Sequence, residues 1–424
     1  MNVGRKPLNL AIVGCGGYAG YLIERLAELP EDCRLIAVTT RNPESEAARK
    51  FKAQGIAVYR DIDAMLEDLS PADCPAIIVP TSIESHFEFT QKIVHRGFHV
   101  LLEKPPAATI QDVDRLIQLQ RNSGRWIAVN FQHLFNPMTQ RLKKQLVAGD
   151  FGSVHSVRAS ALWMRPESYF FRSSWSGKLR VNGQWVLDGT IGNPLAHLLA
   201  EALYLATPGH GMATPVLVQA ELYHANAIES EDTSCLRVET REGVPVFYCA
   251  SLCSKEMTPI LCEIETEKAV IRLTDYFQLE IKWNDGRIEK AETPGNDNHL
   301  DRRIMLKALA DSLSRGERPL ITVEECRPYM LAWNGAFESF GVPEAVDSSF
   351  VCCEEGEQGP VRCIQDLYSL CREACRTQQL FSEMGANWGR LGRMVELDKY
   401  DFFPSVNQVL MKTHSVIKNE EVVI

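Results

Sequence analysis

Short apolar runs alternate with amphipathic stretches along the first 130 residues of the chain. Each run has the length of a buried strand, and in the stretches between the runs apolar residues recur at helical spacing. Strands that alternate with helices in this way predict a parallel sheet with helices on both faces. The predicted strands cover residues 8–13, 35–39, 75–79, 99–102 and 126–130.

Capping residues predict where three helices of this region begin. Ser, Thr, Asp and Asn accept hydrogen bonds from free N–H groups at helix N-termini, and proline is favoured at the first helical position. An acidic residue three positions beyond the cap strengthens the signal. The three predicted starts are Asn42 with Pro43, Thr81 with Glu84, and Thr109 with Asp112.

Beyond Gly152 the pattern changes to long stretches in which apolar and polar residues alternate. Alternation with period two over many strands is typical of an antiparallel sheet with one covered face. Two helices follow, at about 300–314 and 323–340, and we expect both to pack on the first domain. The alternating stretches cover residues 154–164, 216–223, 235–240, 246–253, 260–273 and 277–283.

These patterns predict an α/β chain with two domains and an appendage, which suits a length of 424 residues. A doubly wound parallel sheet occupies residues 1–130, and an α/β domain with a large, open, mainly antiparallel sheet occupies 131–341. The appendage, residues 342–424, is predicted to be partly helical between 360 and 381. It either packs on its own subunit or reaches onto a neighbour.

A glycine-rich turn follows the first predicted strand. Gly14, Gly16, Gly17, Tyr18 and Ala19 lie between this strand and a helix, with the spacing G-x-G-x-x-A. The first glycine allows a tight turn, the second lets the backbone approach a diphosphate, and the small third residue allows the helix to pack closely on the strand. The helix N-terminus adds free N–H groups for the phosphates. The turn therefore predicts dinucleotide binding.

The end of the second strand should distinguish the two nicotinamide cofactors. An acidic residue at this point would bind the ribose 2′-hydroxyl of NAD. Here Thr40 and Arg41 follow the strand, and the first carboxylate, Glu44, lies in the predicted next helix. A hydroxyl and a guanidinium suit a 2′-phosphate, so NADP(H) is favoured and NAD(H) remains possible. Arg41 as an exposed loop charge is the alternative.

Lys104 is the most informative single residue, because it follows a buried strand directly, in the step Glu103-Lys104-Pro105. Ligands of parallel α/β sheets bind outside the carboxyl ends of the strands. Gly14, Thr40, Pro80 with Thr81, Lys104 and Asn130 all fall at such ends. Lys104 is therefore predicted to point into the cofactor crevice.

The glycine turn, the Glu103-Lys104-Pro105 step, residues 131–152 and the sheet domain together resemble the Gfo/Idh/MocA family of oxidoreductases, over residues 8–341. The resemblance implies an N-terminal Rossmann domain and a second α/β domain whose open sheet often mediates assembly into a homo-oligomer. It also implies hydride exchange between nicotinamide and a hydroxyl-bearing carbon of a sugar, polyol or inositol. A redox-neutral NAD-dependent glycosidase and a non-catalytic nucleotide-binding regulator of the same fold are the alternatives.

The resemblance also implies partners for Lys104, namely an Asp and a His four residues later at the start of a helix. This chain departs from that spacing: Gly192 stands four residues after Asp188, whereas His197 stands four residues after Asn193. Because Asn193 with Pro194 is typical of a helix start, we assign Asn193 to the Asp position and His197 to the His position. Asp188 approaches from the preceding turn. Asn193 as a plain N-cap and His197 as a structural histidine are the alternatives.

Weaker candidates complete the predicted site. His86 resembles a cofactor-side histidine of the family and is equally consistent with a structural role. Arg172, Trp175 and Lys178 form an aromatic and basic stretch before Asp188. They would line a polar substrate pocket or simply lie on the surface.

Composition narrows the classes of function and the setting. The formal charge is −10 and no basic tract is present, which argues against nucleic-acid binding. The 13 cysteines include no C-x-x-C pair, so neither a metal site nor a disulfide framework is predicted. With no 18-residue apolar run or signal segment, we predict no membrane association and a cytoplasmic location.

Overall fold

The computed structural model describes residues 6–293 and 299–405. These residues form two compact units. The first contains the described residues up to Ala108, together with Asp112–Gln140 and Thr293–Arg327. The second contains Thr109–Gln111, Arg141–Glu292 and the described residues from Pro328 onward. Parts of the predicted domains, residues 1–5, 294–298 and 406–424, lie outside the described residues, and the predicted boundaries at 130 and 341 stay a prediction.

A six-stranded parallel sheet forms the centre of the first unit. The elements of this region are β1 (Leu8–Ile12), α1 (Gly17–Ala27), β2 (Cys33–Thr39), α2 (Glu46–Ala53), β3 (Ala57–Tyr59), α3 (Ile62–Asp68), β4 (Ala76–Val79), α4 (Ile83–His95), β5 (His99–Glu103), α5 (Ile110–Ser123) and β6 (Ile127–Asn130). The strand order is β3-β2-β1-β4-β5-β6, and every pairing is parallel. The predicted doubly wound parallel sheet is confirmed.

The central strands of this sheet are apolar on both faces. All four residues of β4 and the last three of β1 are buried, as expected where helices cover both sides of a parallel sheet. The glycine turn after β1 and Lys104 after β5 therefore lie at the same carboxyl edge. The strand β3 was not predicted, because the apolar run at residues 56–59 is short, and the three residues that form the strand are only half-buried.

Two of the predicted helix starts are wrong by one to three residues. The helix α2 begins at Glu46, where the Ser45 hydroxyl accepts a hydrogen bond from the Ala48 N–H, so Glu44 lies before the helix. The helix α4 follows Ser82 rather than Thr81. In both places several adjacent residues can act as caps, and sequence alone does not rank them. The start of α5 just after Thr109 agrees with its predicted cap.

The remaining elements begin with α6 and run to the C-terminal region. They are α6 (Pro137–Ala148), β7 (Val154–Leu162), α7 (Glu167–Phe170), β8 (Arg180–Val181), β9 (Gln184–Trp185), α8 (Ala196–Leu205), β10 (Pro215–His224), β11 (Thr233–Thr240), β12 (Val246–Ser251), β13 (Leu261–Thr266), β14 (Ala269–Thr274), β15 (Gln278–Trp283), β16 (Ile288–Glu292), α9 (Leu300–Arg315), α10 (Val323–Phe340), β17 (Glu344–Ala345), β18 (Val351–Gly356), β19 (Gly359–Ile364), α11 (Leu367–Thr377) and β20 (Val395–Glu396).

A ten-stranded sheet forms the centre of the second unit. Its order is β16-β15-β14-β13-β7-β12-β11-β10-β17, and β20 also pairs with β10. Only the β7–β12 and β10–β17 pairings are parallel among those described, so the predicted large, mainly antiparallel sheet is confirmed. The helix α8 packs on β7, β12 and β13, and all ten of its residues are buried. Its side chains form the core beneath one face of the sheet.

Two sequence expectations for this region are wrong, and a third stays a prediction for one of its two helices. Residues 260–273 form a hairpin of two strands, β13 and β14, because the chain turns after Thr266 while the alternation continues across the turn. Residues 359–364 pair with 351–356 as a strand, so the helix predicted from residue 360 begins only at Leu367. Of the two helices expected on the first domain, α9 belongs to the first unit, whereas α10 belongs to the second from Pro328 onward.

Within residues 6–293 and 299–405, every helix is too short or too polar to cross a lipid bilayer.

Candidate active site

The glycine turn has the backbone geometry that its sequence predicts. Gly14 has a φ of +97°, and a Cβ at this position would lie 3.3 Å from the Ala19 Cβ, so only glycine fits without strain. A Cβ built on Gly16 meets nothing within 4 Å, which leaves the backbone open to a ligand. The helix α1 starts at Gly17 without a side-chain cap. These features fit a diphosphate at the helix N-terminus.

The end of β2 fixes the turn from the other side. The Thr39 hydroxyl accepts a hydrogen bond of 2.8 Å from the Gly14 N–H. Next along the chain, the Thr40 hydroxyl accepts one of 3.3 Å from the Asn42 N–H, and the side chain of Arg41 is exposed. The residues proposed to contact the cofactor ribose therefore stand beside the glycine turn, with Arg41 oriented toward solvent.

Lys104 is held by the residues at the ends of two neighbouring strands. Its backbone N–H donates a hydrogen bond of 3.2 Å to the Glu103 carboxylate, and Asn130 at the end of β6 donates to the same carboxylate. Burial raises the pKa of Glu103, while the Lys104 charge and the Asn130 hydrogen bond oppose that rise. The Lys104–Pro105 peptide bond is cis. Glu103 thus anchors the backbone from which the Lys104 side chain extends.

His86 links this step to the end of β4. It is fully buried in α4, with Nδ1 2.8 Å from the Pro105 carbonyl oxygen and Nε2 2.9 Å from that of Thr81. Burial lowers the pKa of His86. Both ring nitrogens of His86 lie at backbone carbonyl oxygens, so His86 fixes the backbone next to Pro80 and Lys104. This arrangement supports the structural role of His86.

Two further groups of the first unit were missed by sequence reasoning. Arg302 of α9 donates a 3.1 Å hydrogen bond from Nε to the Tyr18 hydroxyl, next to the glycine turn. His133 Nδ1 lies 2.6 Å from the Asp301 carboxylate, to which Asn136 also donates at 2.7 Å. These contacts join residues more than 160 positions apart in sequence, so no local motif signals them.

In the second unit, Asp188 and Asn193 lie together. The Asn193 amide donates a hydrogen bond of 2.7 Å to Asp188 Oδ1, and the Gly177 N–H donates one of 2.8 Å to Oδ2. The Arg172 guanidinium stands 3.8 Å from the same carboxylate. Asp188 is 5% exposed, so these donors replace the water that would otherwise solvate its charge. The Asp188 and Asn193 side chains form one hydrogen-bonded pair.

His197 lies in the first turn of α8 and is 8% exposed. The helix begins at Ala196, so the predicted start at Asn193 with Pro194 is wrong. Residues 190–195 form turns instead, with hydrogen bonds from the Asn193 N–H to the Gly189 oxygen and from the Leu195 N–H to the Thr190 oxygen. The i,i+4 argument for a shared helix face therefore does not apply to Asn193 and His197.

A buried glutamate supports the turn that carries Asp188 and Asn193. Glu231 is fully buried and accepts a 3.1 Å hydrogen bond from the Ile191 N–H and a 2.7 Å bond from the Ser230 hydroxyl. A Cβ on Gly189 would lie 2.1 Å from the Glu231 carboxylate, so the turn rests directly on it. Burial raises the pKa of Glu231 to about 7. Sequence reasoning missed Glu231, since nothing local distinguishes it from a surface carboxylate.

The basic and aromatic stretch before Asp188 is ordered by stacking. The Arg172 guanidinium lies 3.9 Å from the centre of the Tyr169 ring and 4.9 Å from that of Trp175. Lys178, in contrast, pairs with Glu229 at 2.8 Å, and both side chains are nearly half exposed. Arg172 therefore borders the Asp188 carboxylate with the Tyr169 and Trp175 rings against its guanidinium, while Lys178 forms a surface ion pair worth little to stability.

Among the described residues, no group of three or more His, Cys, Asp or Glu side chains is arranged to hold a metal ion.

Comparison with known proteins finds a family model that matches the N-terminal part of the chain. Residues 8–131 match the model of the GFO_IDH_MocA family, described as an oxidoreductase family with an NAD-binding Rossmann fold. The chain is 27% identical over 246 residues to inositol 2-dehydrogenase 2 of Saccharopolyspora erythraea, which covers 56% of this chain and 65% of that protein. It is 31% identical over 157 residues to D-glucoside 3-dehydrogenase of Escherichia coli, which covers 37% of this chain and 44% of that protein.

The matched stretches thus span less than two thirds of these two relatives. Among solved structures, the WlbA dehydrogenase of Bordetella pertussis, in complex with NADH and UDP-GlcNAcA, superposes with a TM-score of 0.63 at 21% identity, covering 77% of this chain and 94% of that one. This likeness extends the shared fold beyond the matched N-terminal domain. Residues 8–131 therefore match the NAD-binding Rossmann domain of the Gfo/Idh/MocA family of oxidoreductases.

Proposed function

We propose that the chain is an NAD(P)-dependent oxidoreductase that transfers a hydride between nicotinamide and a carbon bearing a hydroxyl or carbonyl oxygen. The observation that supports this best is the position of Lys104, which follows β5 at the same carboxyl edge of the parallel sheet as the glycine turn after β1. A cation placed beside a dinucleotide turn suits a reaction in which negative charge develops on an oxygen.

The cofactor would be held by the glycine turn, with Gly14, Gly16 and the N-terminus of α1 at its diphosphate. When bound, the nicotinamide supplies or takes up the hydride. At the adenosine end, Thr40 and the exposed Arg41 support a preference for NADP(H), because the described residues between β2 and Glu44 include no carboxylate for a ribose 2′-hydroxyl.

The proton of the reacting hydroxyl needs a separate acceptor, because hydride transfer removes only the hydrogen on carbon. In our proposal the Lys104 ammonium donates a hydrogen bond to the reacting oxygen and His197 relays its proton. Asn193 orients the substrate by hydrogen bonding, since an amide does not take up a proton at neutral pH. Asp188 fixes Asn193 through their 2.7 Å hydrogen bond.

The substrate class follows from the relatives and from the polar groups of the second unit. The two relatives are named for inositol and a D-glucoside. The aromatic rings of Tyr169 and Trp175, beside Arg172 and Asp188, offer stacking surfaces with adjacent donors and acceptors, which suit a polyhydroxylated ring. We therefore propose a sugar, polyol or inositol-like substrate.

The test is a cofactor titration followed by a substrate panel. Tighter binding of NADPH than of NADH, then a change in absorbance of the reduced nicotinamide with a polyol or keto-sugar, would support the proposal. Tight retention of cofactor with release of an aglycone and no net redox change would instead indicate a glycosidase. Cofactor binding without turnover of any substrate in the panel would indicate a regulator.

Assembly of the predicted homo-oligomer through the open sheet would need a sheet face that the C-terminal region of the same chain partly covers.

A further inference from the structure

One face of the large sheet is covered by the C-terminal region of the same chain. Side chains alternate between the two faces of a strand, so Gln219, Glu221 and Tyr223 of β10 share one face. Cross-strand pairing adds Arg237 and Cys235 of β11 to it, since these residues stand opposite Gln219 and Glu221. We call the segment that covers this part of the sheet, residues 380–397, the strap.

Polar contacts fix the strap to β10 and β11. Both the N–H and the hydroxyl of Ser382 donate to the Glu221 carboxylate, at 3.2 and 2.5 Å. The Glu383 carboxylate accepts two hydrogen bonds from Arg237, at 3.0 and 2.8 Å. Glu221 is fully buried, so Ser382 provides hydrogen bonds that this carboxylate would otherwise lose.

Aromatic rings form the apolar part of the same contact. The Tyr223 ring centre lies 4.8 Å from that of Trp388 and 6.4 Å from that of Phe381, and the Tyr223 hydroxyl accepts a 2.7 Å hydrogen bond from the Arg390 N–H. Phe381 and Tyr223 are both fully buried. Burial of several aromatic side chains makes this the most hydrophobic part of the contact between strap and sheet.

The backbone of the strap fits the sheet closely. Gln219 donates a 2.6 Å hydrogen bond to the Gly392 oxygen, and a Cβ at Gly392 would lie 2.1 Å from the Ala220 oxygen. The strand β20 then pairs with β10, where Val395 stands opposite Val218. The strap thus covers both the face and part of the edge of β10, which are the surfaces that exposed strands offer to other chains.

The helix α11 extends this cover over β12 and β7. Its Cys375 thiol, with those of Cys371 and of Cys235 on β11, interacts with the thiol of Cys249 on β12. Burial raises the pKa of Cys249 to about 11, so this thiol acts as a small apolar residue at neutral pH.

The rest of this face, from Arg158 of β7 across β13, β14 and β15 to β16, carries charges that neutralise one another. Arg158 and Arg272 both pair with Glu263, at 2.9 and 2.7 Å, and Lys290 pairs with Glu280 at 2.8 Å. The side chains of Arg272 and Lys290 are 54% and 72% exposed, so water solvates these charges and they do not need a second protein chain to cover them. A paired, hydrated surface of this kind provides little drive for association.

We propose that the strap and α11 together close the face formed by β10, β11, β12 and β7 to association with a second copy of this chain. The inference rests on contacts within the second unit and is independent of the proposed enzymatic reaction. Any assembly of the protein would have to use another surface.

Hydrogen exchange of the full chain at low and high protein concentration tests this proposal. We expect the amides of residues 380–397 and of β10 to β12 to be equally protected at both concentrations. Sedimentation on the same samples reports whether the mass exceeds the 47.7 kDa of one chain. Protection of these segments that rises with concentration, together with a larger mass, would overturn the proposal. A larger mass with unchanged protection would place the assembly elsewhere and support it.

The variant Gly392→Ala provides a second readout. Its added Cβ meets the backbone of Ala220, so the strap must shift, and we expect faster exchange in β10 and new, concentration-dependent association. Gly209→Ala is the matched control, because its Cβ would meet the Thr207 hydroxyl at 3.3 Å and no backbone atom within 4 Å. If Gly392→Ala dissociated an assembly formed by the unmodified chain, the strap would be part of the interface and the proposal would be wrong.

Discussion

The two groups of candidate residues are held in place by different kinds of structure. Lys104 follows a buried strand, and its anchor Glu103 is bound by Asn130 from the neighbouring strand. Asp188 and Asn193 instead lie in consecutive turns that rest on the buried Glu231. Regular strand ends are predictable from sequence, whereas a turn supported by a residue 40 positions away is not. Substitutions in each group test whether this difference in support is also a difference in role.

Replacement of Lys104 should have the largest effect. Lys104→Ala removes the donor to the reacting oxygen, so we expect turnover to fall by about 10³-fold. Cofactor affinity should change less than about twofold, because the glycine turn is untouched. Steady-state kinetics and a cofactor titration measure the two quantities. Lys92→Ala, at a surface lysine paired with Asp63, is the matched control and should leave both unchanged.

Asp188 should matter through Asn193 rather than by direct contact. Asp188→Ala removes the acceptor of the Asn193 amide, so we expect turnover to fall by about 10²-fold with unchanged cofactor affinity. Asp188→Asn keeps the size of the side chain and should retain more activity. Asp285→Ala, at an exposed surface carboxylate, is the control and should leave turnover unchanged. If Asp188→Ala left turnover equally unchanged, the Asp188–Asn193 pair would have no role in the reaction.

Glu231 should make stability depend on pH. Its pKa is raised to about 7 in the folded chain, so the folded state binds more protons than the unfolded state between about pH 4.5 and 7. Stability from this group is therefore present at low pH and is lost as the pH rises through that range. The free energy of unfolding should therefore decrease between pH 5 and 8, and Glu231→Gln should make that decrease smaller by about 2 kcal/mol. Urea unfolding at both pH values measures it, and an unchanged decrease would contradict the assignment.

Arg41 should affect only the choice of cofactor. Arg41→Ala removes the guanidinium proposed for the 2′-phosphate, so we expect NADPH affinity to fall about tenfold. NADH affinity should stay within about twofold, since NADH lacks that phosphate. Equal losses for both cofactors, measured by fluorescence titration, would assign Arg41 to general electrostatics instead.

Sequence patterns predicted the sheets better than the details around the site. The apolar runs before the glycine turn and before Lys104 correctly predicted two strands and the sheet edge that they share. Strands of a parallel sheet are buried on both faces, so they are apolar along their whole length. The start of α8 was misplaced by two residues, since Asn193 and Pro194 form turns that only the contact with Glu231 explains. Arg302 and Asp301 were missed because α9 reaches the first unit from a distant part of the sequence.

The sequence also did not predict that the strap covers one face of the large sheet. The alternation in β10 to β12 correctly predicted strands, yet Glu221 and Tyr223 read as the polar or exposed side of such strands. Their burial depends on Ser382, Phe381 and Trp388, which come more than 150 positions later. Periodicity reports which residues share a face and does not report what covers it.

The central claim is that Lys104 and His197 serve one reaction, and a double-mutant cycle on turnover tests it most directly. Lys104→Ala and His197→Ala should each reduce turnover strongly. Residues that act in a single proton and hydride transfer lose most of their joint effect with the first substitution, so the double variant should be about as active as the weaker single variant. Losses that multiply, or a His197→Ala variant with unchanged turnover, would contradict the account.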